Sequence, residues 1–173
     1  MGGQQTIDRI LASGGSAASL ALNETVVRAK LERDLLEMEL QDLYAQACTV
    51  RLDEDAARLN REIRELREAV RHFLAEWSAH VAWEQSELFP CAAWCLAEEP
   101  SLFASMKEDY RRAERFVRDF LHAMEQAPLP VSREQAKKLA AGLLQAYACL
   151  KNRLREEEEI VMSLEDRVNV FRE

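Results

Sequence analysis

The sequence predicts an all-α protein, an up-down-up-down antiparallel four-helix bundle, and three observations carry that expectation. The 173 residues include only five Gly and four Pro, so few positions resist a helix. Apolar residues recur at alternating steps of three and four along four long stretches, the pattern of a helix that buries one stripe. The links between those stretches are short and carry turn chemistry, and short links make neighbouring helices antiparallel.

Residues 1–21 are rich in Gly, Ser and Ala, and Asp8 and Arg9 interrupt their apolar positions. They read as a flexible N-terminal segment rather than a signal peptide, with the bundle occupying 22–173. The first helix is expected to begin near Leu20 to Asn23 and to end near Val50. Its seam runs Leu22, Val26, Ala29, Arg33, Leu36, Leu40, Leu43, Ala47, Val50, with Arg33 the polar exception. The second begins at Asp53 or Asp55, either of which can cap it, and runs to about Phe89. Pro90, which lacks an N–H and clashes with the preceding turn, should stop or kink it there. Its seam passes from Leu52, Ala56 and Leu59 through Ile63, Leu66, Val70 and Phe73 to Trp77, and then reaches His80 and Glu84.

E-E-P-S at 98–101 is a turn with a helix start. The third helix carries Phe103, Met106, Tyr110, Ala113, Val117, Phe120 and Met124 on its seam. A-P-L-P-V at 127–131 is a loop, and S-R-E-Q at 132–135 is a capping box that opens the fourth helix. That seam reads Leu139, Leu143, Ala146, Leu150, Arg153, Glu157, Ile160, Leu164. In the run 156–159 only Glu157 falls on the seam, so Glu156, Glu158 and Glu159 are expected on a solvated face.

Each seam thus turns polar near mid-length, at Arg33, at His80 with Glu84, at Tyr110, and at Arg153 with Glu157. In a bundle these positions can share one height and form a buried polar layer. Groups of this kind are rarely buried without partners. The second helix should also overhang the first by about ten residues, roughly 15 Å. Leu52, Ala56 and Leu59 would then lack cover, which points to a homodimer or a protein partner.

Other classes are excluded or unsupported. A net charge of −8 argues against nucleic acid, and no apolar run is long enough to span a bilayer. The four cysteines contain no CxxC pair, so a zinc ribbon or thioredoxin-type site is not indicated. Cys91 and Cys95, one turn apart, read as small core residues, and the expected compartment is the reducing cytoplasm.

H-V-A-W-E-Q-S-E-L-F-P at 80–90 resembles the second-helix motif of hemerythrin-like (HHE cation-binding) domains. L-E-R-D-L-L at 31–36, D-Y-R-R-A-E-R-F-V at 109–117 and R-L-R-E-E-E-E-I-V-M at 153–162 resemble the other three helices more loosely. The resemblance implies a core in which five histidines and two carboxylates hold two iron ions, for oxygen carriage, nitric-oxide or oxygen sensing, or iron handling. Arg33, Tyr110 and Arg153 stand where it would place histidines. Residues 1–71 contain no histidine at all, and His72 and His122 lie more than two turns from His80 and Tyr110.

Two guanidiniums and two carboxylates, with His80 neutral, make a layer of zero charge. A salt-bridge layer of Arg33, His80, Glu84, Tyr110, Arg153 and Glu157 is therefore expected in place of the metal site, since Arg forks match carboxylates. The expected function is a non-catalytic regulatory or interaction module without a cofactor. The alternative is a site of His80, Glu84, Glu157 and Tyr110 holding iron or another divalent ion. A di-metal oxidase has the least support, because no nucleophile or proton-relay pair is evident.

Overall fold

The computed structural model describes residues 5, 7–8, 14–97, 101–127 and 130–170. The fold is all-α, an up-down-up-down antiparallel four-helix bundle, with no strand among the described residues. The long helices are α1 (Gly14–Leu52), α2 (Ala56–Trp83), α4 (Leu102–Gln126) and α5 (Arg133–Val170). Between α2 and α4 come a single π turn (Glu84–Leu88) and a short α3 (Phe89–Leu96). Among the described residues no helix is long and apolar enough to cross a membrane.

Each seam is buried at nearly all the positions expected. From Leu59 to Glu84 every seam residue of α2 and the π turn is inaccessible, as are Phe103, Met106, Ala113, Val117, Phe120 and Met124 on α4. Along α5 the stripe widens to take in Ala136, Ala140, Leu154 and Val161.

The chain divides into two compact units. Met1–Leu35, Ser78–Lys107 and Leu154–Glu173 make up the first. Its core gathers Leu22, Val26 and Ala29 with Trp83, Leu88, Phe89, Cys91, Phe103, Met106, Ile160 and Leu164. Phe89 and Phe103 stack with centroids 4.1 Å apart, and Lys30 pairs with Glu165. The second comprises Leu36–Trp77 and Glu108–Arg153. There Tyr44 lies 4.4 Å from Tyr147, and Asn60 grips Val131 from both sides. Its side-chain oxygen accepts the Val131 N–H at 2.7 Å and its amide donates to the Val131 carbonyl at 3.1 Å.

Four expectations need correction. α1 begins at Gly14 rather than near Leu20 to Asn23. The small residues that read as linker are an advantage here, because Ala18 and Ala21 pack on the first unit's core. Of the expected flexible segment, residues 1–4, 6 and 9–13 lie outside the described residues.

Pro90 does not end the helical run. The Phe89 N–H bonds to the Glu84 carbonyl, five residues back, and α3 continues with Pro90 in its first turn. The wider π turn accommodates the ring and the missing N–H that would disrupt an ordinary turn.

Leu59 is not stranded by an overhang. It is 1 % exposed within the single chain, next to the Asn60 clamp, and only Leu52 and Ala56 are left exposed. Glu156, finally, is buried rather than solvated: it is 7 % exposed and accepts the Ser105 hydroxyl at 2.6 Å.

The start of α2 shows why the chain turns where it does. Asp55 accepts the Arg58 N–H at 2.8 Å, an N-cap bond. Asp53 accepts the Asp55 N–H at 2.9 Å and both arms of the Arg58 fork at 2.5 and 2.7 Å. The Arg58 hydrogen bonds hold the Asp53 carboxyl well below the usual carboxylate range. Asp55→Ala should therefore lower stability by about 1 kcal/mol, measured as a shift of the urea midpoint at unchanged slope. α5 opens in the same way, with the Ser132 hydroxyl accepting the Gln135 N–H at 3.2 Å.

Candidate functional site

The helical rhythm of three and four carries His80 and then Glu84 into the core of the first unit, and α5 brings Glu157 to meet them. All three are buried, at 3 %, 0 % and 0 % exposure. The imidazole Nε2 lies 3.0 Å from a Glu157 oxygen and 3.4 Å from a Glu84 oxygen. The other ring nitrogen, Nδ1, lies 2.8 Å from Glu32 on α1. Glu32 in turn accepts from Arg28 Nε at 2.7 Å.

Carboxylates at both ring nitrogens favour the imidazolium, in which both N–H groups donate. Burial alone would lower its pKa, but hydrogen bonds and charge from Glu157 and Glu84 outweigh it and push it up to about 10. Burial, reinforced by the Glu84 charge, pushes the Glu157 carboxyl up to about 7. The closeness of the two carboxylates thus favours a proton held between Glu84 and Glu157.

On α1 the layer is assembled differently from the expected one. Hydrogen bonds and charge from Glu157 and Glu84 favour the charged ring over the neutral one expected. Arg33 does not serve Glu84 or Glu157 as its ion pairs run to Asp34 at 3.3 Å and Glu158 at 3.6 Å. A long stem lets the guanidinium swing to the rim, and a second buried cation beside the imidazolium would be repelled. Its neighbour Glu32 is the residue of α1 that reaches His80. The one sign of Glu32 in the sequence is its spacing of four from Arg28, which looks like an ordinary surface pair.

Arg153 and Tyr110 belong to the second unit. Arg153 is 1 % exposed, and its guanidinium carbon lies 5.7 Å from the Tyr110 ring centroid and 6.0 Å from that of Trp77. Both rings lie within cation–π reach of that charge, so the Tyr110 ring is part of the Arg153 environment.

A profile of the hemerythrin HHE cation binding domain matches residues 33–164, more than half of the chain. The chain belongs to the hemerythrin family. No curated protein and no solved structure matches it. Hemerythrin ancestry implies a two-iron centre, and the residues present do not fit one. Among the described residues His80, Glu84 and Glu157 form the one group of three or more potential ligands, with donor atoms within 4.8 Å of one another. Three donor atoms, one of them imidazole, fall well short of what two six-coordinate ions require. Among the described residues of this hemerythrin core, that group offers the donor atoms for one divalent ion. For that ion the Glu32 bond to Nδ1 would be the outer-shell partner that orients a ligating histidine.

Proposed function

We propose that this hemerythrin-family chain works without a metal, as a non-catalytic regulatory or interaction module whose ligand space is filled by an ionic cluster centred on His80. The observation that carries the reading is the clamp on the imidazole, with Glu32 at one nitrogen and Glu157 and Glu84 at the other. A doubly donating imidazolium has no lone pair for a metal, and it supplies the positive charge that two buried carboxylates need. The cluster holds no side-chain nucleophile beside a base, which supports a non-enzymatic role.

Metal content tests this directly. After expression in iron-rich medium, elemental analysis of the purified chain should find iron and manganese far below one per chain. A value near one per chain would overturn the reading.

The second reading, a single divalent ion at His80, Glu84 and Glu157, is favoured by the convergence of their donor atoms. It requires ferrous or manganous ions to raise the melting temperature, and Glu84→Gln to abolish that rise.

A homodimer belongs to the same proposal. Leu20, Leu31 and Leu35 on α1 are 60 %, 62 % and 61 % exposed, apolar side chains that a second copy could cover. Light scattering at high concentration should give twice the chain mass. Cytoplasmic residence is proposed on the four free cysteines.

A further inference from the structure

A cavity of about 280 Å³ opens in the first unit, walled by Gln5, α1, the end of α2 and the π turn. Its wall carries Glu24, Thr25, Arg28, Trp83 and Glu87. The volume is at the small end of ligand sites, and the lining mixes an aromatic face with two carboxylates and one cation.

The cation is the telling part. The Arg28 guanidinium carbon sits 4.6 Å above the Trp83 ring centroid, and beneath it the indole is only 8 % exposed although it forms a cavity wall. Arg28 itself is 53 % exposed and anchored by the Glu32 bond. The cavity thus already displays a cation seated on an aromatic face beside carboxylates, the arrangement that recognises ammonium and guanidinium groups. A side chain so exposed is readily displaced, and the net charge of −8 draws cations to the surface.

We propose that this cavity binds a small organic cation, an alkylammonium or guanidinium compound, which takes the place of Arg28 on Trp83 while Glu24 and Glu87 neutralise it. Arg28 is then a resident competitor, not a ligand-binding residue. This sets the sign of the test, because an anionic ligand would need Arg28 and would lose affinity without it. Displacement also reaches the core, since it leaves Glu32 with His80 as its bonded partner.

The experiment titrates the full chain with choline, methylguanidinium, the neutral choline isostere 3,3-dimethyl-1-butanol, and acetate, following the indole N–H resonances of the three tryptophans. One resonance, assigned to Trp83 by Trp83→Phe, should move with choline or methylguanidinium and stay still with the butanol and acetate. Arg28→Ala should tighten cation binding by about tenfold. Adding Glu24→Gln and Glu87→Gln to that background should weaken it by a similar factor. If Trp83→Phe fails to fold, the carboxamide variants and the sign of the Arg28→Ala effect still decide. Unchanged or weaker cation binding in Arg28→Ala overturns the proposal. So does equal binding of the neutral isostere, tighter acetate than choline, or no resonance shift in either protein.

Discussion

Replacing His80 with leucine is expected to lower stability by about 3–5 kcal/mol, the cost of leaving a buried charge without its partner. The substitution removes a cation within hydrogen-bonding distance of Glu157 and within ion-pair distance of Glu84, which are themselves inaccessible to water. Glu32 has an escape, since its side chain is 31 % exposed and Arg28 is already bonded to it. The other two carboxylates are fully buried and cannot turn to water.

The triple change His80→Leu, Glu84→Leu and Glu157→Leu should recover most of the loss, because an apolar set of similar volume avoids the desolvation altogether. Urea denaturation of the wild type, the single and the triple variant measures both steps. A single variant within about 0.5 kcal/mol of wild type, the range of an ordinary surface change, would refute the clamp. A triple variant as unstable as the single would show that packing, not charge, holds this part of the core.

Raising the pH should melt the protein from the same place. His80 is pushed from its ordinary 6.5 up to about 10, so the folded state holds this proton more tightly than the unfolded chain. Its contribution is complete below pH 6.5 and is lost as the pH climbs towards 10. Glu157, pushed from 4.5 up to about 7, has the same sign and gives way earlier, between pH 4.5 and 7. Together they predict a melting temperature that falls steadily from mildly acid to alkaline pH.

Glu32 acts in the opposite sense. Burial would raise its pKa, but its bonds to His80 and Arg28 lower it. What it contributes is present above pH 4.5 and lost below. Thermal melts from pH 4 to pH 10, compared with those of His80→Leu, separate these effects: the alkaline decline should flatten in the variant, and an equal decline in both would place its origin outside the cluster.

The heptad-like spacing decided much of this protein before any coordinates. Four seams of alternating threes and fours dictate four buried stripes, because a helix of 3.6 residues per turn returns to the same face at those steps. That periodicity alone put His80, Glu84 and Glu157 in the core, where all three lie at 3 % exposure or less. Composition and the tail of the second-helix motif then sufficed for the family, which the match over residues 33–164 establishes.

Periodicity determines where a Cα–Cβ bond points, however, and not where the head of a long side chain comes to rest. Arg33 occupies its seam position yet carries its charge out to Asp34 and Glu158, while the off-seam Glu32 reaches inward to His80. Only the packed structure could choose between these neighbours, because the choice depends on which charges the other helices present. The same holds for Glu156, buried because Ser105 of another helix offers it a hydroxyl, and for Leu59, covered within its own chain. Pro90 announced a disturbance in the helix, but whether that meant a stop, a kink or a π turn rested on the cost of exposing Leu88, Phe89 and Cys91. The π turn keeps all three buried, an outcome set by tertiary contacts that no local residue pattern contains.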